Sequence, residues 1–173
     1  MIITGGEKYK GRRIQAPDEK ITRPTLSKVR MGVFNVLYSL IGDFEGKNFL
    51  DMFGGSGIMG LEALSRGFSN VVVFEKNQKV AQVLKNNYKL LGLVPNLYIG
   101  DSLKLLDKVR NDFDVIYVDP PYMSGIYECV FEKLRLESKQ LLLVEHSEPI
   151  SANNLTLIKT KNYGGKMVSF FKP

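Results

Sequence analysis

The chain has 173 residues, 44% of them hydrophobic, which suits one domain able to bury about 70% of its unfolded surface. No apolar run is long enough to span a bilayer and no apolar segment follows a basic start, while the single cysteine, Cys129, excludes an intramolecular disulfide or a cysteine-based zinc cluster; a cytoplasmic protein is expected. The net charge of +6 is concentrated, because residues 1–30 carry eight basic side chains against three acids, a pattern that suits phosphate contacts or a solvated basic face.

In chain order, the first segment reads as a short hairpin, MIIT and KGRRIQAP around Gly5-Gly6, with a loop leading to TRPT. Leu26, Val29, Val33, Leu37 and Leu40 keep helical spacing, with Thr25 as N-cap behind Pro24. From residue 47 the pattern alternates: strand NFLDMF, the turn GGSGIMG and helix LEALSRG, strand NVVVFE, a helix closed by Gly92, strand NLYIGD, helix SLKLLDKV, strand FDVIYV, helix IYECVFEKLRL and strand QLLLVEH. LTLIKTKNY and KMVSFF around Gly164-Gly165 read as a hairpin. Repeated β-α units imply an α/β fold with a mostly parallel sheet, to which the last hairpin adds antiparallel strands. A single domain is expected, with a basic extension over 1–24, a helix and linker over 25–46 and a catalytic core over 47–173. Ligands of such sheets bind beyond the carboxyl ends of the strands.

The run from Asp51 through Phe53, Gly55, Ser56 and Gly57 to Gly60 joins the first core strand to its helix. Glycines there let a ligand approach the backbone. The absence of a following Gly-Lys-Ser/Thr argues against a phosphate loop, and the acid at its start suits a cationic amino acid. S-adenosylmethionine carries both an ammonium and a sulfonium. Glu75 ends the second strand, either accepting from ribose hydroxyls or capping the next helix. Asp101-Ser102 follows the third strand and reads either as the adenine contact or as a helix N-cap.

Asp119-Pro120-Pro121-Tyr122 is the most specific feature. Two prolines stiffen the turn and remove two backbone donors, leaving the Asp119 carboxylate and the Pro120 carbonyl to accept from one amino group. The lone pair of an exocyclic base amine is delocalised into the ring. Two acceptors localise it toward an incoming methyl and stabilise the charge that develops on nitrogen. Tyr122 offers a face on which an unpaired or flipped base stacks.

The order DMFGGSG, Glu75, Asp101 and DPPY resembles the class I methyltransferases acting on exocyclic amines. KGRRIQAP, TRPT, Val29-Arg30, Phe34-Asn35-Val36-Leu37 and GLEALSRG are similar to the bacterial 16S ribosomal RNA guanine-N2 methyltransferase D family. The resemblance implies a Rossmann-like, seven-stranded sheet with an N-terminal extension, and methylation of a guanine in the assembling small subunit. It implies a cofactor site of Asp51, Phe53, Gly55, Ser56, Gly57, Glu75 and Asp101, and a catalytic loop from Asp119 to Tyr122. It also implies that Arg23-Pro24-Thr25 and Arg30 lie near the substrate, joining Lys10, Arg12 and Arg13 of the basic segment as nucleic-acid contacts. Ser27-Lys28 and Met31 depart from the family's usual Asp-Arg and Glu. A monomer without metal or membrane is expected.

His146, the only histidine, reads as a strand-end surface residue, Cys129 as packed in the core, and Glu145 as a possible pocket wall. Three rival functions stand beside the main one. A DNA adenine-N6 or cytosine-N4 methylase usually needs a recognition insert, and a protein-glutamine methylase normally shows Asn in place of Asp119. A non-catalytic RNA-binding assembly factor would have no use for paired amine acceptors.

Overall fold

The computed structural model describes residues 1–17, 26–121, 125–152 and 154–173. Strands β1 (Asn48–Asp51), β2 (Asn70–Glu75), β3 (Asn96–Ile99), β4 (Val115–Val118), β5 (Leu141–His146), β6 (Thr156–Asn162) and β7 (Met167–Lys172) form one seven-stranded sheet ordered β3-β2-β1-β4-β5-β7-β6. The first five are parallel; β7 runs antiparallel to both β5 and β6. Helices α1 (Ser27–Ile41), α2 (Ile58–Ser65), α3 (Gln78–Leu90), α4 (Ser102–Leu105) and α5 (Ile126–Lys133) complete the fold.

The central strands are continuous apolar runs because both of their faces are covered. Phe49, Val71, Val73, Tyr117, Leu143, Val168 and Phe170 pack on one side with residues of α1, α2 and α3. Leu50, Val72, Phe74, Ile116, Val118, Leu142, Val144 and Phe171 pack on the other with residues of α4 and α5. Phe34 of α1 stacks on Phe49 at 6.0 Å, and Phe44 stacks on Phe68 at 4.6 Å, anchoring α1 over the amino-terminal ends of β1 and β2. Chain connections reverse direction across the sheet between β1 and β4, the crevice where this architecture takes its ligands.

The amino-terminal hairpin departs from expectation. Ile2 bridges Arg13, and Ile3 donates to Arg12 O, but no tight turn forms at Gly5-Gly6. Residues 4–11 instead lie as a wide loop on the end of α2, with Glu7 N–H on Ser65 O and Tyr9 N–H on Ser65 Oγ. Any side chain at Gly6 would collide with the Ser65 carbonyl, so this glycine serves close approach rather than a turn.

Glu62 of α2, fully buried, is what holds the loop. It accepts from Thr4 N–H and Thr4 Oγ1–H at 2.7 Å, Gly5 N–H at 3.3 Å, Arg30 Nε at 3.1 Å and Arg66 Nε at 3.3 Å. Arg30 is 1% exposed and donates also to Ile2 O and Ser27 Oγ. Its expected role as a nucleic-acid contact is therefore corrected: the guanidinium is turned inward because α2 presents it with a buried carboxylate.

Further readings change as well. The residue at the N-cap position of α1 is Leu26, with no side-chain cap; the expected cap, Thr25, lies outside the described residues. Cys129 is exposed rather than packed in the core. His146 is buried, its ring bonded to Ser169 Oγ and Glu148 O, because β7 covers it. The expected β6–β7 hairpin is present. Gly164 and Gly165 take φ of 73° and 90°, and Tyr163 N–H closes the turn on Lys166 O at 2.7 Å, a two-residue connection that needs positive φ at both positions. β6 is exposed along its whole length, with a register shift between Leu157 and Lys159.

Glu62→Ala removes the carboxylate that the buried Arg30 meets, and should cost about 3–5 kcal/mol in urea unfolding. A loss below about 1 kcal/mol, typical of an exposed pair, would show that this contact does not secure the extension.

Candidate active site

Strand parity assembles the site. Asp51 pairs with Tyr117, and Tyr117 with Leu143. Because side chains alternate with period two, Asp51, Tyr117, Asp119 and Glu145 emerge on one face at the carboxyl ends of β1, β4 and β5. Glu145 in turn pairs with Val168 of β7, which brings Lys166, two residues earlier on that strand's side, to the same edge.

The glycine loop lies between β1 and α2. Asp51 is 1% exposed and accepts from Phe53 N–H at 3.3 Å. Burial, aided by the charge of Glu75 and only partly offset by that hydrogen bond, pushes its carboxyl up to about 7. Glu75, the last residue of β2, accepts from Gly55 N–H at 2.9 Å and Asn77 N–H at 2.7 Å. Its carboxyl is raised by burial against those backbone hydrogen bonds. Gly54 N–H donates to Phe74 O at 2.8 Å, so β2 grips the loop twice. Gly54 and Gly57 sit against Val73 and Leu84, whereas a side chain on Gly55 would meet open space. The loop is thus packed from beneath and open at its crest.

Other expected cofactor residues support the loop from behind. Ser56 Oγ accepts from Ile58 N–H, and Ser56 O accepts from Asn87 Nδ2 at 2.9 Å. The same Asn87 side chain, fully buried, also meets the backbone N–H and C=O of Gln15. Ser102 is buried and donates to Met52 O at 2.6 Å; its hydroxyl fixes the chain after β1. Asp101 caps α4, accepting from Lys104 N–H at 3.4 Å, and pairs with exposed Lys76 at 3.2 Å. That pairing, chiefly, lowers its carboxyl. Phe53 packs partly against the core on the α4 and α5 side.

Asp119 follows β4 with its side chain 21% exposed; Pro120 is buried and Pro121 exposed. Tyr122 lies outside the described residues, as does Arg23. Beside Asp119 stand Glu145, read from the sequence as a pocket wall, and two groups the sequence did not assign, Tyr117 and Lys166. Glu145, 2% exposed, accepts from the Tyr117 hydroxyl at 2.6 Å and from Lys166 Nζ at 2.7 Å. Lys166 Nζ lies 3.9 Å from Asp119 Oδ1. The two-glycine turn was the one signal able to find Lys166, since it puts the residue after it opposite the end of β5.

Lys10, Arg12 and Arg13 are exposed on the extension, Arg12 touching Leu90 O at 3.4 Å. Among the described residues no three His, Cys, Asp or Glu side chains are grouped to hold a metal, and no helix is long and apolar enough to cross a membrane.

A family model described as Conserved hypothetical protein 95 matches residues 1–172. The Escherichia coli K12 Ribosomal RNA small subunit methyltransferase D is 34% identical over 83% of this chain and 73% of its own. The Bacillus subtilis protein YlbH is 32% identical over 99% of this chain and 97% of that one. Among solved structures, the Escherichia coli protein yhhF superposes with a TM-score of 0.81 at 27% identity, covering 99% of this chain and 96% of that chain. An RNA methyltransferase from Salinibacter ruber, solved with S-adenosyl-L-homocysteine, shares the fold at TM-score 0.64 and 16% identity, over 87% and 94% of the two chains. Class I methyltransferase architecture, a glycine loop under two strand-end carboxylates and a match over nearly the whole chain agree: this protein belongs to the ribosomal RNA small subunit methyltransferase D family.

Proposed function

We propose that the protein methylates the exocyclic N2 amine of a guanine in 16S ribosomal RNA, using S-adenosylmethionine. The observation that carries this reading is Asp119. Its carboxylate stands at the end of β4, one strand from the glycine loop, in a turn stiffened by two prolines. The relatives named as small-subunit ribosomal RNA methyltransferases support the substrate class, and the fold shared with an S-adenosylhomocysteine complex supports the cofactor class.

The residues fit that cofactor. Asp51 and Glu75 are two carboxylates held above their usual range by burial, and Glu75's charge raises Asp51 further. A ligand bringing positive charge and hydroxyl donors relieves both, and the crest at Gly55 is open to it. Asp51 would answer the cationic amino-acid end, Glu75 the ribose and Asp101 the adenine, with Phe53, Gly55, Ser56, Gly57 and Ser102 shaping the loop. When bound, S-adenosylmethionine supplies an electrophilic methyl on a sulfonium. Asp119 and the Pro120 carbonyl accept from the guanine amine, orient its lone pair and stabilise the charge arriving on nitrogen. Tyr122 would stack the base. Lys10, Arg12 and Arg13 would contact phosphates; Arg30 is excluded from that set.

Asp119→Ala should lower kcat by about 10²–10³ while cofactor affinity stays close to wild type. Nucleoside mass spectrometry of treated small-subunit RNA should show N2-methylguanosine. Methyl on adenine N6 or cytosine N4 would refute the guanine assignment, and full activity in Asp119→Ala would favour a different mechanism.

Cofactor affinity should depend on pH through Asp51. The free protein favours the protonated carboxyl below about 7, whereas a cationic ligand favours the ionised one. Affinity should therefore weaken by up to about tenfold per pH unit as pH falls below 7, with proton release on binding near pH 6. Calorimetry in two buffers of different ionisation heat measures that release. An unchanged proton count in Asp51→Asn would remove Asp51 from this role.

Replacing Lys10, Arg12 and Arg13 together with Gln should flatten the salt dependence of RNA binding by about 0.7–0.9 log units per lost phosphate contact. A filter-binding slope identical to wild type would move the RNA surface elsewhere.

A further inference from the structure

Lys166 belongs to none of the motifs that mark the cofactor loop or the proline turn, yet its ammonium sits between two carboxylates. It is 2.7 Å from Glu145 Oε1 and 3.9 Å from Asp119 Oδ1. A lysine on a flexible stem is ordinarily a mobile point charge. Here two contacts restrain it. The turn at Gly164-Gly165 fixes its backbone, and Glu145 grips its Nζ. Glu145 is itself fixed by the Tyr117 hydroxyl on Oε2 at 2.6 Å and by the Tyr127 hydroxyl on its backbone carbonyl at 3.0 Å.

We infer that Lys166 is a positioning residue for Asp119: the ammonium, held by Glu145, engages the Asp119 carboxylate at Oδ1 and keeps it ionised and oriented for the substrate amine. The inference rests on Asp119 being the amine acceptor. Its physical basis is that two neighbouring carboxylates with no cation between them favour protonation of one, and a protonated Asp119 would lose its acceptor strength. Among the described residues, the charged and titratable groups facing Asp119 include Lys166 from the hairpin, Glu145 from β5, Tyr117 from β4 and, beyond it, Asp51 from β1. Tyr117 is pushed well above the ordinary phenol range by burial and then by the charges of Glu145, Asp119 and Asp51. It therefore remains a neutral donor, and among the described residues Lys166 is the cation of this group.

The test is Lys166→Met, with Lys166→Gln as a second uncharged variant and Lys166→Arg to restore the charge. Both uncharged variants should lower kcat by roughly tenfold, the loss of one charge-assisted contact. KM for RNA and calorimetric cofactor affinity should stay within about twofold, since Lys166 reaches neither the loop nor the extension. The acid limb of the kcat profile should move upward by about one pH unit or more, and Lys166→Arg should return both readouts most of the way. In an Asp119→Ala background, adding Lys166→Met should cost nothing further. Unchanged kcat and acid limb in both uncharged variants would overturn the inference, as would a further loss in the double variant or a change confined to KM. Should Asp119→Ala alone retain full activity, the reading of Asp119 fails instead, and the two failures are distinguished by that single variant.

Discussion

Glu62 carries its carboxylate at the centre of the molecule with no exposure, meeting Arg30 of α1, Arg66 of its own helix and the backbone of Thr4 and Gly5. Withdrawing these charges from water is costly. The compensation comes from a complete set of donors converging from three parts of the chain. What such a cluster contributes is arrangement more than net stability: α1, the amino-terminal loop and α2 can satisfy it in one relative position. Since α2 begins in the glycine loop, the same contact fixes the extension relative to the crest of that loop. Asn87 repeats the link on the other side, joining Gln15 of the extension to Ser56 of the loop.

The second constraint is strand parity. In parallel register, residues two apart share a face, and the carboxyl edge of this sheet gathers Asp51, Asp119 and Glu145 with one lysine among them. Burial raises Asp51 and the neighbouring Glu75, and the charge of Glu75 raises Asp51 further. The amino-terminal edge is closed instead by the Phe34, Phe44, Phe49 and Phe68 cluster.

Most of the core was legible in the sequence because the buried strands are short, mainly apolar runs and most junctions carry glycine, proline or an N-capping residue. DPPY and the glycine loop were legible because their chemistry requires those residue types in sequence. The amino-terminal basic segment was legible only as charge. Arg30 sits at helical spacing with apolar neighbours, and nothing local announces that its partner lies at Glu62 on another helix. Lys166 and Tyr117 were missed for the same reason: their places beside Asp119 come from register between distant strands. Gly5-Gly6 misled because close backbone approach and tight turning call for the same residue. His146 and Cys129 exchanged places relative to expectation, since burial at a strand end depends on whether a later strand, here β7, covers it.

The sheet's far boundary has a bearing on how copies of this chain meet. An edge strand offers a row of unsatisfied amides and carbonyls, a ready template for a strand of another molecule. β6 presents such a row and is exposed along its whole length. Its Lys159 and Lys161 would have to be brought against like charges of an arriving β6, and the slip between Leu157 and Lys159 interrupts the regular ladder that an arriving strand would need. Sheet growth by self-addition is thereby discouraged at the one long edge, while the opposite boundary, β3, spans four residues and gives too short a ladder to recruit a neighbour.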